Sequence, residues 1–99
     1  MSTQQYVEVS IYTLNESIAT EDFLAKSNEV EAFFSTLDGF DRRELMTNDN
    51  GQWVDLTYWS TKAQAKSAEP LIYESPLVEE VMQMLNEDDM VFTHVSPVK

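Results

Sequence analysis

The sequence predicts an α+β fold of ferredoxin-like order, β-α-β-β-α-β, in which a four-stranded antiparallel sheet carries helices on one face. Three patterns support this: period-two alternation at both ends of the chain, an Asn-Gly hairpin in the middle, and apolar stripes at helical spacing after the first and third strands. The 99 residues are expected to form one domain, 1–99. A domain of this size gains from further burial, because it removes only about two thirds of its unfolded surface from water.

The first strand is read over Tyr6 to Leu14, with Val7, Val9, Ile11 and Thr13 on one side and Tyr6, Glu8, Ser10 and Tyr12 on the other. The valines and isoleucine are expected against the helices and the Tyr/Glu/Ser/Tyr side toward a partner or cavity, with the inverted facing as the alternative. Thr20 has the character of an N-cap, followed by Glu21 and Asp22 where the helix dipole favours negative charge. Phe23, Ser27, Val30, Phe34 and Leu37 then mark the stripe of a helix of about five turns, which Asp38-Gly39 ends.

Phe40 to Asn48 reads as the second strand and Gln52 to Trp59 as the third, joined by Asp49-Asn50-Gly51. A two-residue Asn50-Gly51 loop puts Leu45 opposite Leu56 and Arg42 opposite Trp59; a three-residue loop shifts the register by one. Apolar and aromatic residues lie on both faces of Gly51 to Thr61, so both faces of the sheet need cover, and a chain this short supplies helices for one. Thr61-Lys62-Ala63-Gln64 has capping-box spacing, and the alanines 63, 65 and 68 follow. Pro70 is expected to bend or end that helix, and Ser75-Pro76 to cap a new segment with Leu77, Val78, Val81, Met82 and Leu85 on its apolar face. After the acidic turn Asn86 to Asp89, the last strand runs from Met90 to Pro97, with Phe92 and His94 on the side opposite Val91, Thr93 and Val95.

Composition excludes several function classes. A hydrophobic content of 42% argues against disorder, and no apolar run approaches the roughly 20 residues of a membrane span. The formal charge of −12 repels nucleic acid and anionic membranes. The N-terminus lacks a signal-peptide pattern and the chain has no cysteine, which fits the cytoplasm and rules out thiol chemistry. A single histidine with no second nitrogen or sulfur ligand nearby argues against a dedicated metal site.

The helix-Gly39-Phe40-strand passage, the hairpin, and Tyr58-Trp59-Ser60 leading into a helix resemble the antibiotic-biosynthesis-monooxygenase type of dimeric α+β barrel protein over nearly the whole chain. The resemblance implies a homodimer in which the bare faces of two sheets pack together, and a small-molecule cavity between each sheet and its own helices. Independently, Trp53, Met46, Tyr6 and Phe92, together with Tyr12 and Trp59, form an apolar set too large for a monomer to expose; the first four are the dimer-face candidates. Members of the family that oxidise polycyclic aromatics or degrade heme use no separate metal or flavin. In the heme degraders an asparagine, a tryptophan and a histidine do the work. Trp59 matches the tryptophan, but the first strand offers Ser10, Ile11 and Tyr12 in place of the amide, and Glu69 and Pro70 stand about where the histidine would fall.

The resemblance therefore implies cofactor-independent oxidation of a small aromatic or quinone-like metabolite, with a non-catalytic ligand-binding or structural dimer as the alternative and heme chemistry behind both. Candidate cavity residues are Trp59, Tyr58, Tyr12, Ser10, Tyr73 and His94; no catalytic residue is assigned, and no cofactor or metal is expected. Each has a plain structural reading beside it: tyrosines and tryptophans fill cores and seams, and a lone histidine on a strand more often packs than titrates in a reaction. Glu8 and Asp55, on the same face as the aromatics, need partners, and Arg42 and Arg43 are the expected ones. Methionines 46, 82, 84 and 90 read as core filler.

Overall fold

A computed structural model describes residues 5–98. Four strands, β1 (Tyr6–Tyr12), β2 (Phe40–Thr47), β3 (Trp53–Trp59) and β4 (Val91–Val95), form one antiparallel sheet in the order β2-β3-β1-β4. The helices are α1 (Thr20–Phe34), α2 (Lys62–Tyr73) and α3 (Pro76–Met84), and a short 3-10 turn over Glu87–Asp89 precedes β4. The ferredoxin-like order expected from the sequence is the observed one.

Several local signals act differently from expectation. The residue flanking the start of α1 is Ala19, with no side-chain cap; Thr20 is already helical, and the helix stops at Phe34, a turn short of the apolar stripe. Pro70 lies inside α2, which continues to Tyr73, and the break comes where Ser75 accepts the Val78 amide hydrogen bond at 3.4 Å. A proline is tolerated there at the loss of one backbone bond, three residues before the helix ends. Thr61 caps α2 by accepting from the Gln64 amide at 3.1 Å, while its own hydroxyl donates to the Gln64 side chain instead of being bypassed by it.

The hairpin takes the three-residue form. Gly51 N–H donates to Asn48 O at 3.1 Å and Asn48 N–H to Gln52 O at 2.9 Å, with Gly51 at φ +76°. A type I turn followed by a left-handed glycine is the usual three-residue solution. It sets Leu45 opposite Asp55 and Arg43 opposite Thr57, one residue away from the Asn50-Gly51 register. Gly39 is held at φ +89° with its carbonyl accepting from Ser60 N–H at 2.7 Å, and any side chain there would collide with Gln64. This contact pins the α1–β2 turn against the β3–α2 corner.

The facing of the sheet is the inverted one. Tyr6 and Tyr12 are buried beneath the helices, Tyr12 with Phe23, Val81 and Leu85, and Tyr6 with Trp59, Ala65 and Ala68. With Tyr6 and Tyr12 go Glu8 and Ser10, and across the ladder Trp53, Asp55, Thr57 and Trp59. Trp53 packs its ring 5.0 Å from Phe23, and Phe92 sits opposite Ser10. Trp53, Tyr6 and Phe92 are therefore not on the bare face, because aromatic volume fills the space below the helices; of the four dimer-face candidates only Met46, paired with Val54, lies there. The bare face instead carries Val7, Val9 and Ile11 of β1, Val54 and Leu56 of β3, and Val91 and Val95 of β4. Met46, Val91 and Val95 are each about half exposed. Met82 is also exposed, so of the four methionines expected as core filler Met84 and Met90 pack against the core.

Candidate functional site

Between the helices and the sheet lies a cavity of about 340 Å³, a size suited to a small ring system. Its floor is polar, built from Glu8, Ser10 and Tyr12 of β1, Asp55 and Thr57 of β3, and Arg43 of β2. Its roof is mostly apolar: Val30 and Phe34 from α1, Ile72 from α2, Val78 and Val81 from α3, and Leu85 just past the end of α3. Tyr73 and Phe92, 76% and 60% exposed, are the parts of the wall that face water. This arrangement follows from alternation on neighbouring strands: Glu8 lies opposite Thr57 and Ser10 opposite Asp55, so every second residue of both strands points at the helices.

One polar group is closed on itself. Arg43 grips Asp55 with two parallel hydrogen bonds, Nε to Oδ1 at 2.9 Å and Nη2 to Oδ2 at 2.7 Å. Its remaining nitrogen donates to the hydroxyl and carbonyl oxygens of the buried Ser27 at 2.6 and 3.1 Å. Tyr12 donates its phenol proton to Asp55 Oδ2 at 3.0 Å. Burial and the Asp55 charge push the Tyr12 phenol well above its usual range, so it remains a donor and not a base. Fork-to-fork pairing of this kind is rigid and fully satisfied, which explains why serine interrupts the apolar stripe of α1 at position 27.

The other polar group is open. Glu8 takes a hydrogen bond on Oε1 from Trp59 Nε1 at 2.8 Å, and Arg43, the guanidinium of the cavity, bonds to Asp55 and Ser27 instead. Burial raises the Glu8 carboxyl above the ordinary glutamate value; the Trp59 bond opposes that rise, as do Lys66 and His94, and Glu69 adds to it. Only one of the two expected arginine partners therefore serves a carboxylate of the floor. Arg42 is on the bare face, 3.7 Å above the Tyr58 ring.

The sequence candidates divide accordingly. Tyr12, Ser10 and Tyr73 line the cavity. Trp59 is fully buried behind it, packed against Phe34 and Phe40, and reaches it only through Glu8. His94 lies opposite Glu8 on the edge strand and stacks on Tyr6 at 5.0 Å, outside the lining. Tyr58 is removed from the site: it follows the alternation to the bare face and donates to Glu44 at 2.7 Å. Adjacent strand residues point to opposite faces, so Tyr58 and Trp59 were never able to share one cavity. Glu8, Asp55 and Arg43 entered the sequence reading only as an expected set of ion pairs, not as cavity residues, and Thr57 did not enter it. The signal that finds them is parity with Trp59 once that tryptophan is placed under the helices. Among the described residues, no group of three histidine or carboxylate side chains has the geometry to hold a metal ion, and no helix is long and apolar enough to cross a membrane.

A scan against protein-family profiles finds no match to this sequence, and no curated protein matches it. Solved structures do. A mutant of SnoaB, a cofactor-independent oxygenase from Streptomyces nogalater, superposes with a TM-score of 0.81 at 15% identity, over 96% of this chain and 94% of that one. A protein from Nitrosomonas europaea provisionally assigned as an antibiotic biosynthesis monooxygenase gives 0.72 at 12% identity, over 99% and 94%. A dimeric ferredoxin-like protein from an uncultured marine organism gives 0.73 at 15% identity, over 97% and 90%. At such identities the likeness is one of architecture, and the chain has the ferredoxin-like fold of the antibiotic-biosynthesis-monooxygenase-like proteins.

Proposed function

We propose that the chain is a homodimeric, cytoplasmic, monooxygenase-like protein that binds a small aromatic or quinone-like metabolite between its sheet and its helices and oxidises it with dioxygen, without a bound cofactor. The observation that carries this reading is the cavity itself, with an apolar roof for a ring and a polar floor for ring oxygens. The architecture shared with a cofactor-independent oxygenase supports the reaction class. Without a cofactor, the electrons for dioxygen must come from the substrate, and electron-rich phenolates or enolates give them up most readily. The balance for a phenol with a free para hydrogen is one phenol plus one dioxygen giving one quinone and one water. A bare apolar sheet face, and the dimeric state of one structural neighbour, support the homodimer.

A non-catalytic binding dimer is the second reading, and one observation favours it: the tryptophan matched by family resemblance is sealed from the cavity. Oxygen uptake with a panel of small hydroxyaromatics, followed by mass analysis of product formed under 18O-labelled dioxygen, separates the two. Oxidation predicts a quinone carrying one labelled oxygen per turnover. Ligands that bind without oxygen uptake above the protein-free rate leave the binding reading in place.

A further inference from the structure

Glu8 is the one carboxylate of the cavity floor with a free oxygen. Asp55 has both oxygens committed to Arg43, and one of them also to Tyr12. Glu69, on the α2 wall, is paired with Lys66 at 3.1 Å. Glu8 uses Oε1 for Trp59, which leaves Oε2 without a hydrogen-bond partner among the described residues. Trp59 is immobilised between Phe34 and Phe40, so its N–H fixes the carboxylate in place. The charge around the cavity also selects. Glu8, Asp55 and Glu69 against the single Arg43, itself engaged, make the lining net negative and hostile to carboxylated or phosphorylated ligands.

We propose that Glu8 is the proton acceptor of this cavity, positioned by Trp59, and that the ligand is a neutral aromatic carrying a free hydroxyl. The assignment rests on the cavity reading given under Proposed function and names the substrate class for it. In the oxidation, Glu8 takes the phenol proton and the O–H electron pair stays on the ring oxygen. The resulting phenolate gives its electrons to dioxygen, and a C–O bond forms at the para carbon. Glu8 returns its proton to the peroxide oxygen. It then takes the ring hydrogen as the O–O bond breaks, and passes that proton to the departing hydroxide to make water. Glu8 ends as it began, and one phenol and one dioxygen have become one quinone and one water. The groups facing Glu8 are Trp59 and Thr57 on β3, Lys66 and Glu69 on α2, and His94 on β4.

The test compares 1-naphthol, whose para carbon carries a hydrogen, with 1-methoxynaphthalene, which differs in having no proton to give, by calorimetric titration of the intact protein. Wild type is expected to prefer naphthol by about tenfold or more, the worth of a hydrogen bond to a charged acceptor. Glu8→Gln keeps an acceptor for Trp59 but offers the ligand a donor, so the preference should vanish while methoxynaphthalene binds as before. Glu8→Asp should restore part of it, and Trp59→Phe should weaken it without abolishing it. Equal binding of both probes to wild type, or a preference that survives in Glu8→Gln, overturns the assignment even if oxidation is found. No binding of either probe overturns the cavity reading and this assignment together. Absence of oxygen uptake alongside a Glu8-dependent preference removes the oxidation only and leaves the hydroxyl recognition standing. Where turnover is observed, kcat of Glu8→Gln should fall by about 100-fold or more with little change in KM.

Discussion

Under its helices the sheet presents Glu8, Ser10, Asp55, Thr57 and Arg43, and on its bare side it presents Val7, Val9, Ile11, Val54 and Leu56. Burial by the chain's own helices would ordinarily fall to the apolar set. The polar residues can sit there because aromatic rings at the two ends, Tyr12 with Phe23 and Trp53, Tyr6 with Trp59, hold helices and sheet together while the middle stays open. The covered face thus contains the site. On the other face Val7 is already buried, but the remaining apolar residues keep part of their surface in water, and each is worth up to about 1.5–3 kcal/mol when covered, so that face is where a second copy has most to offer.

The largest effect is expected from attacking the bare face. Leu56 pairs directly with Val9 at its centre, and Leu56→Glu places a charge where an apolar seam is proposed. Light scattering on the wild type should give twice the chain mass at micromolar concentration. The variant should scatter as a monomer and melt more than about 5 °C lower, since 1 kcal/mol moves the midpoint of a domain this size by about 4–8 °C. A monomeric wild type, or an unchanged dimer in the variant, would break the contrast between the faces.

On the covered face the Arg43–Asp55 pair is the next lever. Arg43→Ala leaves Asp55 facing the cavity without its cation, and removal of one member of a buried pair costs about 3–5 kcal/mol. The Arg43→Ala/Asp55→Ala double variant should recover a good part of that loss in urea unfolding. Additive losses would mean that the two side chains do not act as a unit.

How much of this arrangement the sequence makes legible differs between the faces for physical reasons. Strand existence follows from alternation in Tyr6 to Tyr12 and Gln52 to Trp59, and the Ser75-Pro76 restart from cap chemistry. Which face meets the helices does not follow, because hydrophobicity favours Val7, Val9 and Ile11 while ring volume favours Tyr6 and Tyr12, and volume prevails. The Trp59–Glu8 bond spans 51 positions and requires both the strand order and the facing to be known. The hairpin was open by a single residue, because Asn48-Asp49-Asn50-Gly51 suits a two-residue loop and a type I turn with a left-handed glycine equally well.

The smallest effect separates the two polar groups of the covered face from each other. Glu8 has a carboxyl raised by burial, so the folded state holds its proton more tightly than the unfolded chain does. Its contribution to stability is therefore neutral below the unfolded value near 4.5 and becomes unfavourable as the pH climbs through the raised folded value. Glu8→Gln removes the charge but keeps an oxygen for Trp59 Nε1, so it should match wild type at pH 4 and exceed it at pH 7. Glu8 is only partly buried, which holds the gain below about 1 kcal/mol. Urea unfolding of both proteins at pH 4, 5, 6 and 7 reads the difference directly, with the other acidic groups cancelling between them. A variant less stable at pH 7 than at pH 4, relative to wild type, would mean that the Trp59 bond outweighs burial and that Glu8 is a structural acceptor, as closed in its way as Asp55.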